Sequence, residues 1–248
     1  MKMPRLMGHR GAAAHAPENT LASLRKAKEL GLGWVEFDVQ LTGDGLPVLM
    51  HDDTLHRTAG DRRKIAKVPL EEVVALDAGS WFDPAFAGEP VPRFEAAIDL
   101  LEALDLYANI EIKPSPGLAR ETAIVAVETA KARWPKSLPM PLISSFDAPC
   151  LEEAQRLWPE APRGFLAKML PPDWRETAAR LECTSVHLWH PGVTPEKLAA
   201  VKQEGYLTAA YTVNSAERAQ ALFDMGLDCA ITDDPTVLTD WMEASVAA

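Results

Sequence analysis

The chain has 248 residues, and 25 Lys and Arg against 36 Asp and Glu give it a formal net charge of −11. This acidic balance excludes nucleic acid as an expected partner, because binding nucleic acid requires a basic surface. The N-terminus has no apolar signal segment and no apolar run approaches the ~20 residues of a membrane span, so we expect a cytoplasmic protein without stable membrane anchoring.

Short apolar segments alternate with helical patterns almost from end to end, which predicts strands joined by crossover helices. Eight such units fit an α/β fold of the (β/α)8 TIM-like barrel type, which needs about 250 residues. An open doubly wound sheet is the alternative, but no GxGxxG or phosphate-binding loop follows the first strand. The predicted strands are residues 5–9, 34–39, 107–113, 141–146, 163–167, 186–190, 207–213 and 229–232.

One segment, residues 52–92, interrupts this alternation. It is rich in charged residues, Gly and Pro, with Trp81 and Phe82 near its middle. Loops of this length are usually functional or disordered, and the aromatic pair favours a packed insertion. We therefore expect a single domain over residues 1–248, with a small insertion after the second strand that caps the active-site face.

Carboxylates occur on two of the otherwise apolar strands. Glu36 and Asp38 are two residues apart, so their side chains share one face of a strand. Burying them side by side is costly unless a cation compensates. Glu111 and Lys113 repeat this spacing on the third strand. Three carboxylates would supply oxygen ligands for one divalent metal ion, Mg²⁺ or Ca²⁺; a buried salt bridge of Lys113 with one carboxylate is the alternative.

His51 follows a turn, residues 42–45, that is too short for a parallel crossover and therefore predicts a hairpin. If the turn is centred on Gly43 and Asp44, Glu36 lies opposite His51. Directly opposed residues share a face, so His51 would lie beside the proposed metal. A bulge at the turn would shift this register by one residue.

His9 and Arg10 end the first predicted strand, which places them at the end of a barrel where active sites lie. A histidine can donate or accept a proton near neutral pH, and an arginine matches phosphate oxygens with two parallel hydrogen bonds. Glu18, in the segment that begins the first helix, is a candidate to brace Arg10. Trp189 and Tyr211, at the ends of later strands, either line the pocket or pack in the core.

These motifs together resemble the glycerophosphodiester phosphodiesterase family, and the resemblance runs from about residue 6 to 240. The matching residues, in the family's order, are His9-Arg10-Gly11, Pro17–Thr20, Glu36-Phe37-Asp38, Asp44-Gly45, His51-Asp52 and Asn109–Lys113. The resemblance implies a TIM-like barrel with a divalent metal on Glu36, Asp38 and Glu111. It implies that His9 and His51 form an acid–base pair, and that Arg10 and Lys113 bind the phosphate. The form without a leader is similar to the cytoplasmic bacterial enzymes.

The expected reaction is metal-dependent hydrolysis of a small-molecule glycerophosphodiester to glycerol 3-phosphate and an alcohol. The residues leave open whether water or the glycerol 2-hydroxyl attacks, and which histidine is the acid. A phospholipase-like diesterase acting on lysophospholipid or sphingolipid head groups is one alternative. A sugar-phosphate isomerase or aldolase is another, although the cations lie beside the metal, which favours chemistry at phosphorus. A non-catalytic barrel is a third, although every expected side chain is present.

Overall fold

In the computed structural model, which describes residues 2–241, eight parallel strands form a closed barrel. With one further strand, β3, which pairs antiparallel with β2, the strands are β1 (Leu6–Gly8), β2 (Trp34–Leu41), β3 (Pro47–Leu49), β4 (Tyr107–Ile112), β5 (Leu142–Ser145), β6 (Arg163–Ala167), β7 (Ser185–Trp189), β8 (Leu207–Tyr211) and β9 (Cys229–Thr232). The order β1-β9-β8-β7-β6-β5-β4-β2 is closed by the pairing of β1 with β2, and β3 lies outside the ring. The predicted TIM-like barrel is confirmed, and each predicted strand overlaps one barrel strand.

Helices connect the strands and cover the barrel. They are α1 (Leu21–Glu29), α2 (His56–Ala59), α3 (Leu70–Val73), α4 (Phe94–Leu104), α5 (Ala119–Arg133), α6 (Ala148–Leu157), α7 (Trp174–Arg180), α8 (Pro195–Gln203) and α9 (Ala216–Asp224), with 3-10 turns at Ile65–Lys67, Pro84–Phe86, His190–Gly192 and Pro235–Trp241. The side-chain oxygens of Thr20, Thr194 and Ser215 accept a backbone N–H in the first turns of α1, α8 and α9. These caps satisfy amide groups that the helix itself cannot pair.

The hairpin between β2 and β3 differs from the sequence prediction by one residue. Val39 pairs with Leu49, so the predicted register, which set Glu36 opposite His51, is wrong. The chain leaves the ladder after Leu49, and His51 reaches the barrel end from the segment beyond β3 rather than from a paired strand.

The turn itself explains the shift. The backbone N–H of Thr42 donates to the carbonyl of Leu46 at 3.0 Å, so three residues lie between the paired positions. Gly45 in this turn has φ 77°, a left-handed conformation that glycine adopts without a steric penalty. A three-residue loop with a left-handed third residue is the common hairpin with a bulge, which sequence spacing alone did not distinguish from a two-residue turn.

The insertion, residues 52–92, contains α2, α3 and two of the 3-10 turns. Its buried side chains form a separate apolar cluster together with Val48 of β3 and Met50: Leu55, Ile65, Val68, Leu70, Val73, Ala78 and Val91. Trp81, expected to build this core, is 42% exposed and instead packs edge-on against Phe82. The aliphatic residues pack the insertion, and its capping role stays a prediction.

Inward-facing side chains change character along the barrel axis. We call the N-terminal ends of the parallel strands the lower end and their C-terminal ends the upper end. The lower end is filled by an apolar cluster of Met3, Met7, Trp34, Leu142, Ala209, Cys229 and Ile231. Polar and charged residues occupy the inward positions above it, so the upper end is where chemistry can take place.

The three cysteines are free and buried, as expected for a chain without a disulfide framework. They are Cys150, Cys183 and Cys229, and burial raises the pKa of each thiol. They therefore act as small apolar residues. Within residues 2–241, no helix combines the length and the apolar character that crossing a membrane requires.

Candidate active site

Three carboxylates meet at the upper end of the barrel. Glu36 and Asp38 lie on β2, and Glu111 lies on the neighbouring β4, where it pairs with Asp38 in the ladder. Each offers a ligand oxygen within 4.8 Å of the others, and all three side chains are buried. The structure therefore brings together the three carboxylates predicted to bind a metal.

The charges of this cluster are poorly compensated by the protein. Burial, followed by the charges of Asp38 and Glu111, raises the pKa of Glu36 well above its ordinary value. Burial and the Asp38 charge raise the pKa of Glu111 to about 8. Among the described residues, no hydrogen-bond donor reaches Oε1 of Glu36, although that atom is buried. A buried carboxylate oxygen without a donor, beside two further carboxylates, fits a bound divalent cation.

Asp38 is the carboxylate of the cluster that the protein stabilises in its ionised form. Burial alone would raise its pKa, but the charges of Arg10 and Lys113, with smaller contributions from His51 and Asn19, together outweigh burial and lower it to about 2. The Nε of Arg10 lies 3.4 Å from Asp38 Oδ2, and the Nζ of Lys113 lies 3.6 Å from Asp38 Oδ1. Asn19 also donates to Asp38 Oδ2 at 2.8 Å.

Arg10 and Lys113 are the two cations predicted to bind phosphate. Arg10 has φ 50°, and its backbone N–H donates to Glu36 Oε2 at 3.0 Å. Its Nη1 donates to Glu18 Oε1 at 2.6 Å, so the predicted brace is present. Lys113 Nζ lies 3.8 Å from Glu111 Oε1. Both cations border the cluster, but two positive charges do not neutralise three carboxylates.

His9 lies beside the carboxylate cluster with one ring nitrogen held. Its Nδ1 lies 2.6 Å from Asp233 Oδ1, and its Nε2 lies 3.9 Å from Glu36 Oε2. Asp233 also accepts a hydrogen bond from Asn214 at 2.7 Å. Burial alone would raise the pKa of Asp233, but the hydrogen bond and charge of His9, with the Asn214 hydrogen bond and the Arg10 charge, together outweigh burial and lower it. The ionised aspartate therefore accepts the Nδ1 proton and leaves Nε2 toward the cluster.

His51 has a similar arrangement and is close enough to the cluster for the Asp38 charge to act on it. Its Nδ1 lies 2.6 Å from Asp52 Oδ1, and Asp52 is in turn bound by Arg57. Burial lowers the pKa of His51, whereas the negative charge of Asp38 acts in the opposite direction. Two imidazoles with Nδ1 fixed by an aspartate therefore border one carboxylate cluster.

The aspartates that orient the histidines were not singled out from the sequence. Asp52 follows His51 directly, so this pair was within reach of a local argument. Asp233 is 224 residues from His9. It reaches His9 because β1 pairs with β9, with Gly8 opposite Thr232, and only the closure of the barrel creates that neighbourhood.

A cavity of about 370 Å³ adjoins the cluster at the upper end. Its lining residues come from the ends of β5 to β8: Phe146, Lys168, Trp189, His190, Tyr211 and Thr212. Burial, and then the negative charge of Glu111, raises the pKa of Tyr211, which links this cavity to the carboxylates. Trp189 is 39% exposed, so its predicted place is in the pocket and not in the core.

A larger cavity of about 600 Å³ opens at the lower end, beside Trp34, Tyr107 and Arg163. It contains none of the predicted site residues. Size alone would select the wrong end of the barrel, since titratable groups that meet in one place are the better sign of an active site.

Comparison with known proteins agrees with the motifs. Residues 9–237 match the Glycerophosphoryl diester phosphodiesterase family. A glycerophosphodiester phosphodiesterase of Caldanaerobacter subterraneus subsp. tengcongensis is 34% identical over 238 residues, which cover 94% of this chain and 95% of the relative. An Oleispira antarctica phosphodiesterase, solved in complex with the product sn-glycerol-3-phosphate, is 38% identical with a TM-score of 0.93, over 97% of each chain. A Silicibacter pomeroyi protein described as a glycerophosphoryl diester phosphodiesterase superposes with a TM-score of 0.85 at 26% identity, over 98% of this chain and 94% of that one.

Proposed function

Because the chain belongs to the Glycerophosphoryl diester phosphodiesterase family, we propose that it hydrolyses glycerophosphodiesters to glycerol 3-phosphate and an alcohol, with one divalent metal ion and two histidines. The observation that carries this proposal is the meeting of three carboxylates, two cations and two aspartate-held imidazoles at one end of the barrel. The product bound to the Oleispira antarctica relative supports the substrate class.

Glu36, Asp38 and Glu111 would hold the metal ion, Mg²⁺ or Ca²⁺ in our proposal, because these hard cations prefer oxygen ligands. When bound, the ion supplies positive charge that polarises a phosphoryl oxygen. Its positive charge would also offset the burial and the carboxylate repulsion that raise the pKa of Glu36 and Glu111, so both carboxylates would be ionised in the working enzyme.

Arg10 and Lys113 would bind the non-bridging oxygens of the phosphodiester. Both lie beside Asp38, so a phosphate that they bind is next to the carboxylate cluster. Lys113 remains 27% exposed, which leaves donors of its ammonium group free for an incoming oxygen. These fixed positive charges stabilise the additional negative charge of the transition state.

His9 and His51 would perform the two proton transfers. Each Nδ1 is bound to an aspartate, which leaves each Nε2 free to exchange a proton with the substrate. One imidazole removes the proton of the attacking hydroxyl, and the other protonates the departing alkoxide. The attacking group is water or the glycerol 2-hydroxyl. Reaction in ¹⁸O-labelled water with trapping of any cyclic glycerophosphate distinguishes these routes.

The test is hydrolysis of glycerophosphocholine, glycerophosphoethanolamine and glycerophosphoglycerol by the purified chain. We expect glycerol 3-phosphate as product, loss of activity with a chelator, and recovery with Mg²⁺ or Ca²⁺. His9→Ala and His51→Ala should each reduce kcat by at least about 10²-fold, since a positioned proton donor or acceptor contributes 10²–10⁴-fold.

His15→Ala is the matched control for these variants. His15 is also a histidine held by an aspartate, with Nε2 2.7 Å from Asp234 Oδ1, but it contacts none of the carboxylates of the cluster. We expect it to keep wild-type kcat. Full activity in His9→Ala or His51→Ala would contradict the role proposed for that residue, and full activity without metal would contradict metal dependence.

Lysophospholipids are a second candidate substrate class, and one observation favours them. Phe146, Met169 and Trp189 are exposed apolar side chains at the upper end, two of them in the adjoining cavity wall. An acyl chain could contact these residues. Comparing kcat/KM for glycerophosphocholine and lysophosphatidylcholine, in the wild type and in Met169→Ser, tests this. The cytoplasmic location and the lack of a nucleic-acid partner stay predictions.

A further inference from the structure

We propose that Arg57, in the first helix of the insertion, is a positioning residue. It binds both Asp52, which orients His51, and Glu18, which orients Arg10, and we call these two carboxylates with the bridging Arg57 the frame. The side chain touches neither the carboxylate cluster nor the cavity beside it, and it acts through Asp52 and Glu18. This inference rests on the proposed function, and it extends that function to a segment outside the barrel.

The first half of the frame is Asp52. Arg57 Nε donates to Asp52 Oδ2 at 2.8 Å, and Arg57 Nη2 donates to Asp52 Oδ1 at 3.0 Å. The same Oδ1 accepts Nδ1 of His51 at 2.6 Å. Both oxygens of the carboxylate are therefore engaged, so the acceptor that orients the imidazole cannot rotate freely.

The second half of the frame is Glu18, which lies on the loop between β1 and α1. Arg57 Nη1 donates to Glu18 Oε2 at 2.6 Å, and Arg57 Nη2 donates to Glu18 Oε1 at 2.8 Å. That Oε1 also accepts Nη1 of Arg10 at 2.6 Å. Burial alone would raise the pKa of Glu18, but the hydrogen bonds and charges of Arg57 and Arg10 together outweigh burial and lower it.

One guanidinium group therefore bridges two carboxylates from distant parts of the chain. Four of its five N–H groups are used, two on each carboxylate. Only the planar fork of arginine offers this geometry, because a lysine ammonium is a single point from which two separated carboxylates cannot both be gripped with two bonds.

The two supported residues have few other restraints. Among residues 2–241, Glu18 is the one hydrogen-bond acceptor of the Arg10 guanidinium, and Asp38 adds an ion pair at 3.4 Å. In the same part of the chain, Asp52 is the one hydrogen-bond partner of the His51 ring. Loss of Arg57 should thus loosen both side chains at once.

The effect on stability should be small by contrast. Arg57 is 42% exposed, and Glu18, which is only 11% exposed, should keep its ion pair with Arg10 when Arg57 is removed. Catalysis is more sensitive, because groups that orient the residues of a site typically matter by about 10- to 100-fold. We therefore expect Arg57→Ala to lower kcat/KM by about 10- to 100-fold while the melting temperature changes by only a few degrees.

Arg63 provides a matched control in the same insertion. It is 49% exposed and its guanidinium also bridges two carboxylates, Asp61 and Glu72, but these touch no proposed site residue. Arg63→Ala should keep wild-type kcat and KM. Equal losses of activity and stability in Arg57→Ala and Arg63→Ala would show a merely structural role and overturn the inference.

The two halves of the frame predict separate kinetic signatures. Glu18→Gln should mainly raise KM, because it loosens the phosphate-binding Arg10. Asp52→Asn should mainly lower kcat, because it frees the His51 ring. Arg57→Ala should show both effects and add little to the double variant of Glu18 and Asp52, since additivity fails for residues in one network. Full additivity, or an effect of Arg57→Ala on neither constant, would overturn the inference.

A measurement without turnover distinguishes failure of this inference from failure of the proposed function. Ring ¹⁵N NMR should detect the proton on Nδ1 of His51 in the wild type and in Arg63→Ala, and its faster exchange in Arg57→Ala. Calorimetry with glycerol 3-phosphate should show weaker binding in Arg57→Ala. A wild type that hydrolyses no diester refutes the function alone, whereas an unchanged His51 ring and unchanged affinity in Arg57→Ala refute the frame.

Discussion

The two ends of one barrel bury side chains equally well and use them differently. On β2, Trp34 at the lower end is 6% exposed and Asp38 at the upper end is 2% exposed. The first packs in an apolar cluster, and the second belongs to three carboxylates that repel one another. Burial therefore does not identify the site. The position along the strand does, since the loops at the C-terminal ends of barrel strands carry the chemistry.

Two arginines, Arg163, which is buried, and Arg10, whose side chain is 15% exposed, show the same contrast. Arg163 at the lower end donates from Nε, Nη1 and Nη2 to the carbonyls of Leu181, Ala161 and Glu182, and to further oxygens nearby. Arg10 at the upper end donates from its guanidinium to Glu18 alone among the described residues. A cation whose donors are all satisfied supports the fold, whereas one with donors to spare is available to a ligand.

We expect the largest effect when one carboxylate charge is removed from the upper end of the barrel. Glu111→Gln keeps the size of the side chain but removes a proposed metal ligand. We expect kcat/KM to fall by at least about 10²-fold, a loss no smaller than that for groups that merely orient a ligand. The melting temperature of the metal-free protein should hold or rise, because a neutral amide is not subject to the burial penalty and the Asp38 repulsion that raise the pKa of Glu111.

Steady-state kinetics and thermal unfolding of the same preparations check this prediction. Isothermal titration with Mg²⁺ or Ca²⁺ adds a direct reading, since Glu111→Gln should bind the ion more weakly than the wild type. A variant with normal kinetics, or one that is strongly destabilised without metal, would show that Glu111 serves the fold.

The converse variant lies at the lower end. Leu142 on β5 is fully buried in the apolar cluster and no proposed catalytic residue lies on this strand. Leu142→Ala should lower the free energy of unfolding by about 2–5 kcal/mol, through lost burial and the cavity left behind. The kcat/KM of the folded fraction should stay at the wild-type value.

Denaturant unfolding measures the free energy of unfolding, and steady-state kinetics at low temperature measure the kcat/KM of the folded protein. Leu142→Met, which nearly conserves volume, is the control and should cost less than about 1.5 kcal/mol. If Leu142→Ala lowers kcat/KM as strongly as Glu111→Gln does, the two ends are coupled and the division between them is wrong.

Local patterns were sufficient for the barrel and for the carboxylate cluster. Alternating apolar segments and helix caps such as Thr20 and Thr194 are determined by residues close together in the chain, so a single sequence is enough to predict them. The spacing of Glu36 and Asp38 assigns a common face, and parallel strands present such faces at one end. The convergence with Glu111 follows from these rules without coordinates.

What could not be predicted depends on conformation or on closure of the barrel. The register of the hairpin depends on whether Gly45 adopts a left-handed conformation, because that conformation adds one residue to the loop. The partnership of His9 with Asp233 depends on the pairing of the first strand with the last. Arg57 lies in a segment without hydrophobic periodicity, so no sequence pattern predicted its hydrogen bonds with Asp52 and Glu18.

The smallest predicted effect concerns pH and again separates the two ends. In the metal-free protein, burial and Asp38 hold the pKa of Glu111 at about 8, and that of Glu36 is raised as well. The folded state therefore binds protons that the unfolded state releases, so stability is lost as pH rises through the folded-state pKa. His187, whose pKa burial lowers to about 4, acts in the opposite sense but only below the ordinary histidine value of 6.5.

The dependence of stability on pH is therefore best measured between pH 6.5 and 8. In this interval the contribution of His187 to stability has largely ended, and Glu111 still titrates. One proton over this interval corresponds to about 2 kcal/mol of lost stability. Unfolding curves of metal-free wild type should show this fall, and Glu111→Gln should show less of it. Leu142→Ala should fall in parallel with the wild type, because an apolar deletion at the lower end leaves the carboxylates unchanged. A flat wild-type profile would mean that the cluster is compensated without a metal, and the case for a cation at the upper end would be lost.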